Sequence, residues 1–382
     1  MFKTPPPLSL YVHLPWCVQK CPYCDFNSHP LRGDIPEQDY ASALIRDLEQ
    51  DLPRVWGRQL ESVFIGGGTP SLFSGETIGR LLSDIRARVP IKPGAEITLE
   101  ANPGTVEAGR FASFRKAGVN RLSIGVQSFH DSQLQALGRI HDSEGAKHAI
   151  REARLAGFDN INIDLMFGLP GQVLEQALAD IDQAIEYSPE HLSLYQLTIE
   201  PNTAFGASPP VLPDEDTNWE MQQALQSRLA DASYEHYEVS AYARQGKRSR
   251  HNLNYWTFGD YLGIGAGAHG KLSDHEHVSR LWKTRHPKEY LRHAGSQQGI
   301  AGIKNVSSEE LPLEFMMNAL RLVEGFPAVL YTERTGLTLN NLLSPLERAE
   351  SLGLIVRDAV QIRPTARGEQ YLNDLLALFM DE

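Results

Sequence analysis

Short runs of apolar and β-branched residues recur along the first half of the chain, at 9–14, 62–65, 96–101, 121–126, 160–166 and 191–198. Each is followed by a turn and then by a stretch with the spacing of an amphipathic helix, which predicts six βα units in series and hence a parallel sheet. Helices are predicted over 38–55, 76–89, 106–117, 143–156 and 173–187, long enough to cross back over the sheet and cover one face of it. Such an α/β array closes incompletely into a partial (β/α)6 barrel or lies open as a doubly wound sheet, and spacing alone does not choose between them. After Pro201 the texture changes. Pro209, Pro210 and Pro213 precede a polar helix predicted over 214–232, and a basic stretch and a glycine-rich loop at 259–270 follow. From 307 onward the pattern reads as helices, a hairpin at 354–362 and a final amphipathic helix from Thr365, a smaller, mainly helical or winged-helix-like appendage. The expected regions are therefore 1–240, 241–306 and 307–382. Winged helices often bind DNA, but the appendage carries Glu309, Glu310, Glu314, Glu347 and Glu350, which favours a docking or lid role.

Composition narrows the class without naming a function. Hydrophobic residues make up 41% and charged residues 22% of 382 positions, an ordinary globular mixture with enough apolar material for a packed core. The balance of 36 basic against 48 acidic residues gives −12, which opposes non-specific attraction to nucleic acid or an anionic membrane. No apolar run approaches the roughly 18 residues of a membrane-spanning helix, and the first residues lack the apolar core of a secretion signal, so a cytoplasmic location is expected.

Candidate chemistry starts with the cysteines. Cys17, Cys21 and Cys24 are the only three, spaced C-x3-C-x2-C just after the first predicted strand. They are too few and too crowded for a disulfide framework, so metal binding is the natural reading. A [4Fe–4S] cluster ordinarily takes four cysteines, one per iron, so three leave one iron for an outside ligand. The alternative is a Cys3His zinc site completed by His13 or His29. The loop, with aromatic Tyr23 before its last cysteine, resembles that of the radical S-adenosylmethionine superfamily. That resemblance implies a cluster whose open iron is chelated by S-adenosylmethionine, which an electron from the cluster cleaves to a deoxyadenosyl radical. Other polar residues fall behind successive strands: Gly66 to Pro70, Glu100, Gln127, Asp164 and the pair Tyr195 and Gln196. In parallel α/β folds strand C-termini share one ligand-binding edge. Singly, each has a plain structural explanation, such as a tight turn or a helix cap; their joint placement favours a site. On the resemblance, the glycines admit the methionine amino group, Glu100 or Asp164 binds ammonium or ribose hydroxyls, and Arg139 a carboxylate.

The segments 11–17, 66–70, 125–129 and 137–141 are similar to the oxygen-independent coproporphyrinogen III oxidase group, along nearly the whole chain. That similarity implies S-adenosylmethionine contacts from Tyr11, Gly67, Gly68, Thr69, Glu100, Gln127, Arg139 and Asp164, with Tyr23 and Gln196 added. The true oxidases of the group carry a further cysteine where this chain has Phe26, and an N-terminal extension before the first strand. Both departures favour a haem-chaperone branch, whose His-Asn-x-x-Tyr-Trp signature occurs here as His251 to Trp256. The resemblance implies that haem is bound and delivered to an acceptor protein, with an electron donor as a further partner; oxidative decarboxylation of coproporphyrinogen III is the rival. His251 is the expected iron ligand, with Tyr255 and Trp256 as flat surface for the porphyrin and His269 as the next candidate ligand. Arg244, Lys247, Arg248 and Arg250 are expected to attract the propionates.

Overall fold

The computed structural model describes residues 4–105 and 109–380. Its principal strands in the first part are β1 (Leu8–Leu14), β2 (Leu60–Gly67), β3 (Ile91–Ala101), β4 (Arg121–Gln127), β5 (Ile161–Phe167) and β6 (His191–Gln196). All six pair in parallel and in sequence order. Helices α1 (Glu37–Asp51), α2 (Gly75–Arg86), α3 (Arg110–Ala117), α4 (Ser143–Leu155) and α5 (Leu174–Glu186) make the crossovers. The start of the helix predicted from 106 lies outside the described residues.

Alternation along the strands decides the architecture. Leu8, Leu10, Val12, Val63, Ile65, Leu122, Ile124, Ile161 and Ile163 face the helices in one apolar cluster. The alternate positions are Ser9, Tyr11, Ser62, Glu96, Arg121, Ser123, Asn162, Asp164 and His191, a polar set. A doubly wound sheet buries both faces in apolar residues. Here one face takes the helices, each buried Leu, Ile or Val contributing about 1.5–3 kcal/mol, and the other lines a polar interior. The sheet is therefore a partial barrel.

Beyond β6 the chain forms α6 (Glu215–Asp231), capped by the Asp214 carboxylate accepting from the Thr217 amide at 2.8 Å, then β7 (Glu235–Glu238) and β8 (Ala241–Ala243). A short helix, α7 (Arg250–Trp256), precedes β9 (Asp260–Ile264), β10 (His269–Ser273), β11 (Val278–Lys283) and β12 (Ile300–Val306). The twelve-stranded order is β12-β11-β10-β9-β1-β2-β3-β4-β5-β6-β8-β7. The stretch 259–270, expected as a glycine-rich loop, is thus a correction: it supplies β9, parallel to β1, and the start of β10. Its glycines serve close strand approach. A Cβ on Gly263 would sit 1.9 Å from the carbonyl oxygen of His269.

The C-terminal part has its own apolar cluster, including Phe315, Met316, Phe326, Tyr331, Leu342, Leu346 and Ile362. It comprises α8 (Leu311–Ala319), α9 (Ala328–Thr335), α10 (Leu343–Ser351) and a three-stranded antiparallel sheet of β13 (Phe326–Pro327), β14 (Ile355–Arg357) and β15 (Gln361–Pro364). This is a winged-helix-like arrangement. The final helix is broken at Tyr371 into Ala366–Gln370 and Leu372–Ala377. Glu310 and Glu314 pair with Lys304 and Arg280 of the extended sheet. No helix among the described residues is long and apolar enough to cross a membrane.

Candidate functional site

Parallel pairing brings the C-terminal ends of β1 to β6 to one edge, and the cysteine loop leaves β1 there. The loop is closed on itself: Trp16 and Cys17 pair with His29 and Pro30, and the His29 amide donates to the Pro15 carbonyl at 2.7 Å. Asn27 Nδ2 then pins it to the carbonyls of Ala266 and Arg285, each at 2.9 Å. From below, the amides of Gly68 and Thr69 donate to the carbonyls of Leu14 and Trp16 at 2.8 and 2.7 Å. A Cβ on Gly68 would stand 2.5 Å from the Trp16 carbonyl oxygen, so only glycine permits that approach.

The loop overhangs a cavity of about 320 Å³ lined by Cys17, Cys21 and Cys24 together with Tyr23, Gly67, Gly68, Thr69, Glu100, Gln127, Arg139 and Asp164. Residues from five strand ends, distant in sequence, thus meet at one cavity. Two expected contacts stand apart. Tyr11 and Gln196 do not line it: the Tyr11 hydroxyl bonds His13 Nδ1 at 2.9 Å, and strand alternation turns Gln196 away from Tyr195, which does line it. Ser123 and Met166 are lining positions that motif reading passed over; each lies on the inward phase of its strand, the signal that would have found them, while Tyr195 lines the cavity as its place behind the sixth strand suggested. Phe26 also lines the mouth and is 62% exposed.

The electrostatics of the cavity are unbalanced. Burial and the neighbouring Asp164 push Glu100 up to about 8, opposed by the Gly67 amide donating to it at 3.0 Å. Burial also raises Asp164, against hydrogen bonds from Asn162 Nδ2 at 2.8 Å and Ser123 Oγ at 3.1 Å. Opposite them Arg139 donates to the Gly125 carbonyl at 2.7 Å and reaches Cys21 Sγ and the Tyr23 hydroxyl at 3.5 Å, while its buried Nε has no partner among the described residues. Burial raises the thiols of Cys17 and Cys24. Gln127 ends β4 at φ 73°, a left-handed conformation that costs a non-glycine residue about 1 kcal/mol or more and here lets its side chain reach the cavity.

These residues fit an iron–sulfur cluster with a zwitterionic ligand. Three thiols converge without a fourth, a glycine cradle admits close approach, a carboxylate pair awaits a cation, and Arg139 Nε awaits an anion. The zinc alternative fits less well. His13 has both ring nitrogens engaged, by the Tyr11 hydroxyl and by the Asn27 carbonyl at 2.9 Å, and His29 Nε2 is held by the Asn27 side chain at 3.3 Å.

The histidine motif lies at the opposite end of the barrel, and this is a correction. Helix α7 plugs the interior at the strand N-termini, its Arg250 and His251 amides donating to Glu96 at 3.1 Å each. His251 is 1% exposed; Nδ1 bonds Ser62 Oγ at 2.8 Å, Nε2 bonds the Tyr255 hydroxyl at 2.9 Å, and burial lowers it to about 3. Tyr255 packs edge-on against Tyr261, and Trp256 lies beneath the Arg321 guanidinium at 4.4 Å. The imidazole is not presented to iron, and the two rings form no open platform. The basic stretch is likewise occupied. Arg248 forks onto Glu324 at 2.7 and 2.8 Å, Arg250 and Lys247 donate to the carbonyls of Gly94 and Asp159, and Arg244 lies over Tyr234 at 4.7 Å.

Comparison with known proteins agrees with this geometry at the level of class. The family model of the radical SAM superfamily matches residues 11–184, and that of the HemN C-terminal domain matches 306–370. A solved coproporphyrinogen III oxidase (HemN) from Escherichia coli, described as a radical SAM enzyme, superposes with a TM-score of 0.82 at 24% identity, over 98% of this chain and 90% of that one. A heme chaperone HemW from Escherichia coli K12 is 50% identical over 380 residues, and one from Haemophilus influenzae is 51% identical over 382, each alignment covering 99% of both chains. This chain belongs to the HemW family of radical SAM proteins, whose family chemistry implies a [4Fe–4S] cluster and S-adenosylmethionine.

Proposed function

We propose that this chain is a haem chaperone that binds haem and passes it to an acceptor protein in the cytoplasm, carrying a [4Fe–4S] cluster and S-adenosylmethionine at the barrel's upper edge. The observation that carries this reading is the identity of about half of all residues with named haem chaperones along the full length of both chains. In this reading Cys17, Cys21 and Cys24 hold the cluster, leaving one iron open. Gly67, Gly68, Thr69, Glu100, Gln127, Arg139 and Asp164 hold S-adenosylmethionine, with Tyr23 closing the side nearest Cys21. The bound pair supplies one-electron chemistry, for which an electron-donor protein is a further partner.

What the chain's own residues contribute follows from their charges. Arg139 sets a buried positive charge 3.5 Å from Cys21 Sγ, on the side of the cavity opposite the carboxylates. Glu100 and Asp164 resist ionising together, and a cationic ligand between them relieves that repulsion. Phe26 puts an exposed phenyl ring at the cavity mouth where the related oxidases carry a thiol, so a second use of the mouth as a thiol-dependent decarboxylation site is not expected.

The test is haem titration into the anaerobically reconstituted protein, followed by transfer to a haem-free acceptor such as apomyoglobin. A Soret band that forms at one haem per chain and then moves to the acceptor supports the proposal. Repeated turnover of coproporphyrinogen III to protoporphyrinogen IX, with no haem bound, overturns it.

A further inference from the structure

Resting on the haem-chaperone reading, we propose that haem docks beside the cysteine loop on the extended sheet, with His269 as iron ligand, Trp282 stacked on that imidazole to hold its orientation and Arg285 pairing with a propionate. The inference starts from which imidazoles are available. His13, His191 and His251 have both ring nitrogens committed to hydrogen bonds. His29, His141 and His286 each commit one, and His277 and His293 face carboxylates. His130 and His236 are partly buried, and His148 on α4 and His275 in the turn between β10 and β11 are exposed with no ring among the described residues stacked on either. His269 is exposed, neither of its ring nitrogens has a hydrogen-bond partner among the described residues, and its ring is stacked on Trp282.

Its surroundings add a ring that orients the imidazole and a cation for a propionate. His269 opens β10 opposite Trp282 of β11, and the two rings lie 20° from parallel with centroids 6.2 Å apart. The indole is flat against the neighbouring strand: a Cβ on Gly302 would come within 2.1 Å of it, so glycine at that position lets the ring lie over the backbone. The stacked indole holds the His269 ring in one orientation before iron arrives, which lowers the ordering cost of ligation. Arg285 is exposed, forms no ion pair among the described residues, and follows the strand whose Lys283 amide donates to the Ala268 carbonyl at 2.9 Å; partial burial, then Arg280 and Arg285, lower the His269 imidazole. Arg280 itself is taken by Glu314 and the Tyr261 hydroxyl. An imidazole kept neutral ligates iron, and a free guanidinium complements a carboxylate.

The location links this surface to the cavity. Gly265 and Gly267, in the turn between β9 and β10, approach His13 and Asn27 so closely that a Cβ would stand 2.4 Å from the His13 carbonyl oxygen or from Asn27 Nδ2. Asn27 also anchors the cysteine loop to the carbonyls of Ala266 and Arg285, so the two surfaces share one hydrogen-bonded turn.

The experiment uses the full-length reconstituted chain and two probes, haem and metal-free protoporphyrin IX, with native protein, His269→Ala, Trp282→Ala and His251→Ala. Iron–sulfur absorbance serves as the folding control. His269→Ala is expected to shift the Soret band and weaken haem binding by about tenfold or more, to leave protoporphyrin IX affinity unchanged, and to regain a native-like spectrum on addition of imidazole. Trp282→Ala is expected to weaken haem binding less than His269→Ala does and to leave protoporphyrin IX affinity unchanged. A native-like Soret band and affinity in His269→Ala overturn this site while leaving the chaperone reading standing. Native protein that binds no haem removes the chaperone reading, and this proposal with it.

Discussion

Replacing His251 with alanine separates a structural plug from a haem ligand. The imidazole is 1% exposed and bridges Ser62 and Tyr255 across the floor of the barrel. After truncation Ser62 keeps its 2.8 Å bond to Ser9, but the Tyr255 hydroxyl is left without the partner seen here. An unsatisfied buried hydroxyl costs about 1–3 kcal/mol, and the void left against Phe64, whose ring centroid is 5.1 Å away, adds a cavity cost of about 2 kcal/mol. The expected loss is therefore about 3–5 kcal/mol, a large part of the roughly 5–15 kcal/mol that stabilises a typical protein. Tyr255→Phe, which strands only the imidazole nitrogen, is expected to cost about 1–2 kcal/mol. The assay is anaerobic guanidinium unfolding followed by tryptophan fluorescence, with the midpoint falling at unchanged slope. If His251→Ala unfolds within about 0.5 kcal/mol of native, as an exposed substitution does, and loses its Soret band, the histidine is a ligand and the plug argument is wrong.

Glu100 gives a pH signature. Its carboxyl in the ligand-free fold is held at about 8, above the ordinary 4.5, so the fold favours the protonated form; that contribution is whole below the ordinary value and lost as pH rises through about 8. Native protein should accordingly lose stability relative to Glu100→Gln between about pH 4.5 and pH 8 and level off above that, and parallel thermal-melting curves would contradict this. Gly68→Ala places a methyl 2.5 Å from the Trp16 carbonyl oxygen, so the turn must move. S-adenosylmethionine affinity by calorimetry should fall about tenfold or more, and an unchanged affinity would remove Gly68 from the site.

How much was legible in the sequence follows from which signals are local. The six strands and their crossover helices were readable because Leu8, Leu10 and Val12 alternate with Ser9 and Tyr11, and this alternation repeats in each unit. The cavity was readable because strand C-termini share an edge, so Glu100, Gln127 and Asp164 could be placed together without knowing their distances. Gly263 and Gly270 hid β9 and β10, since glycines that admit a neighbouring backbone look the same as glycines in a loop. The His251 motif misled for a different reason. An imidazole beside two aromatic rings is chemically apt for haem, but only tertiary packing reveals that Ser62 and Tyr255 already satisfy it. Arg248 hides in the same way, because Glu324, seventy-six positions away, takes its charge.

The central claim is that three thiols at the strand C-terminal edge hold a four-iron cluster with one iron left for a ligand. Mössbauer spectroscopy on protein reconstituted anaerobically with iron-57, recorded with and without S-adenosylmethionine, tests it most directly. The expected result is a [4Fe–4S] spectrum in which one iron of the four changes when S-adenosylmethionine is added, and loss of the cluster in Cys17→Ser, Cys21→Ser or Cys24→Ser. Zinc without iron in the native protein, or a full cluster in Cys21→Ser, would contradict it.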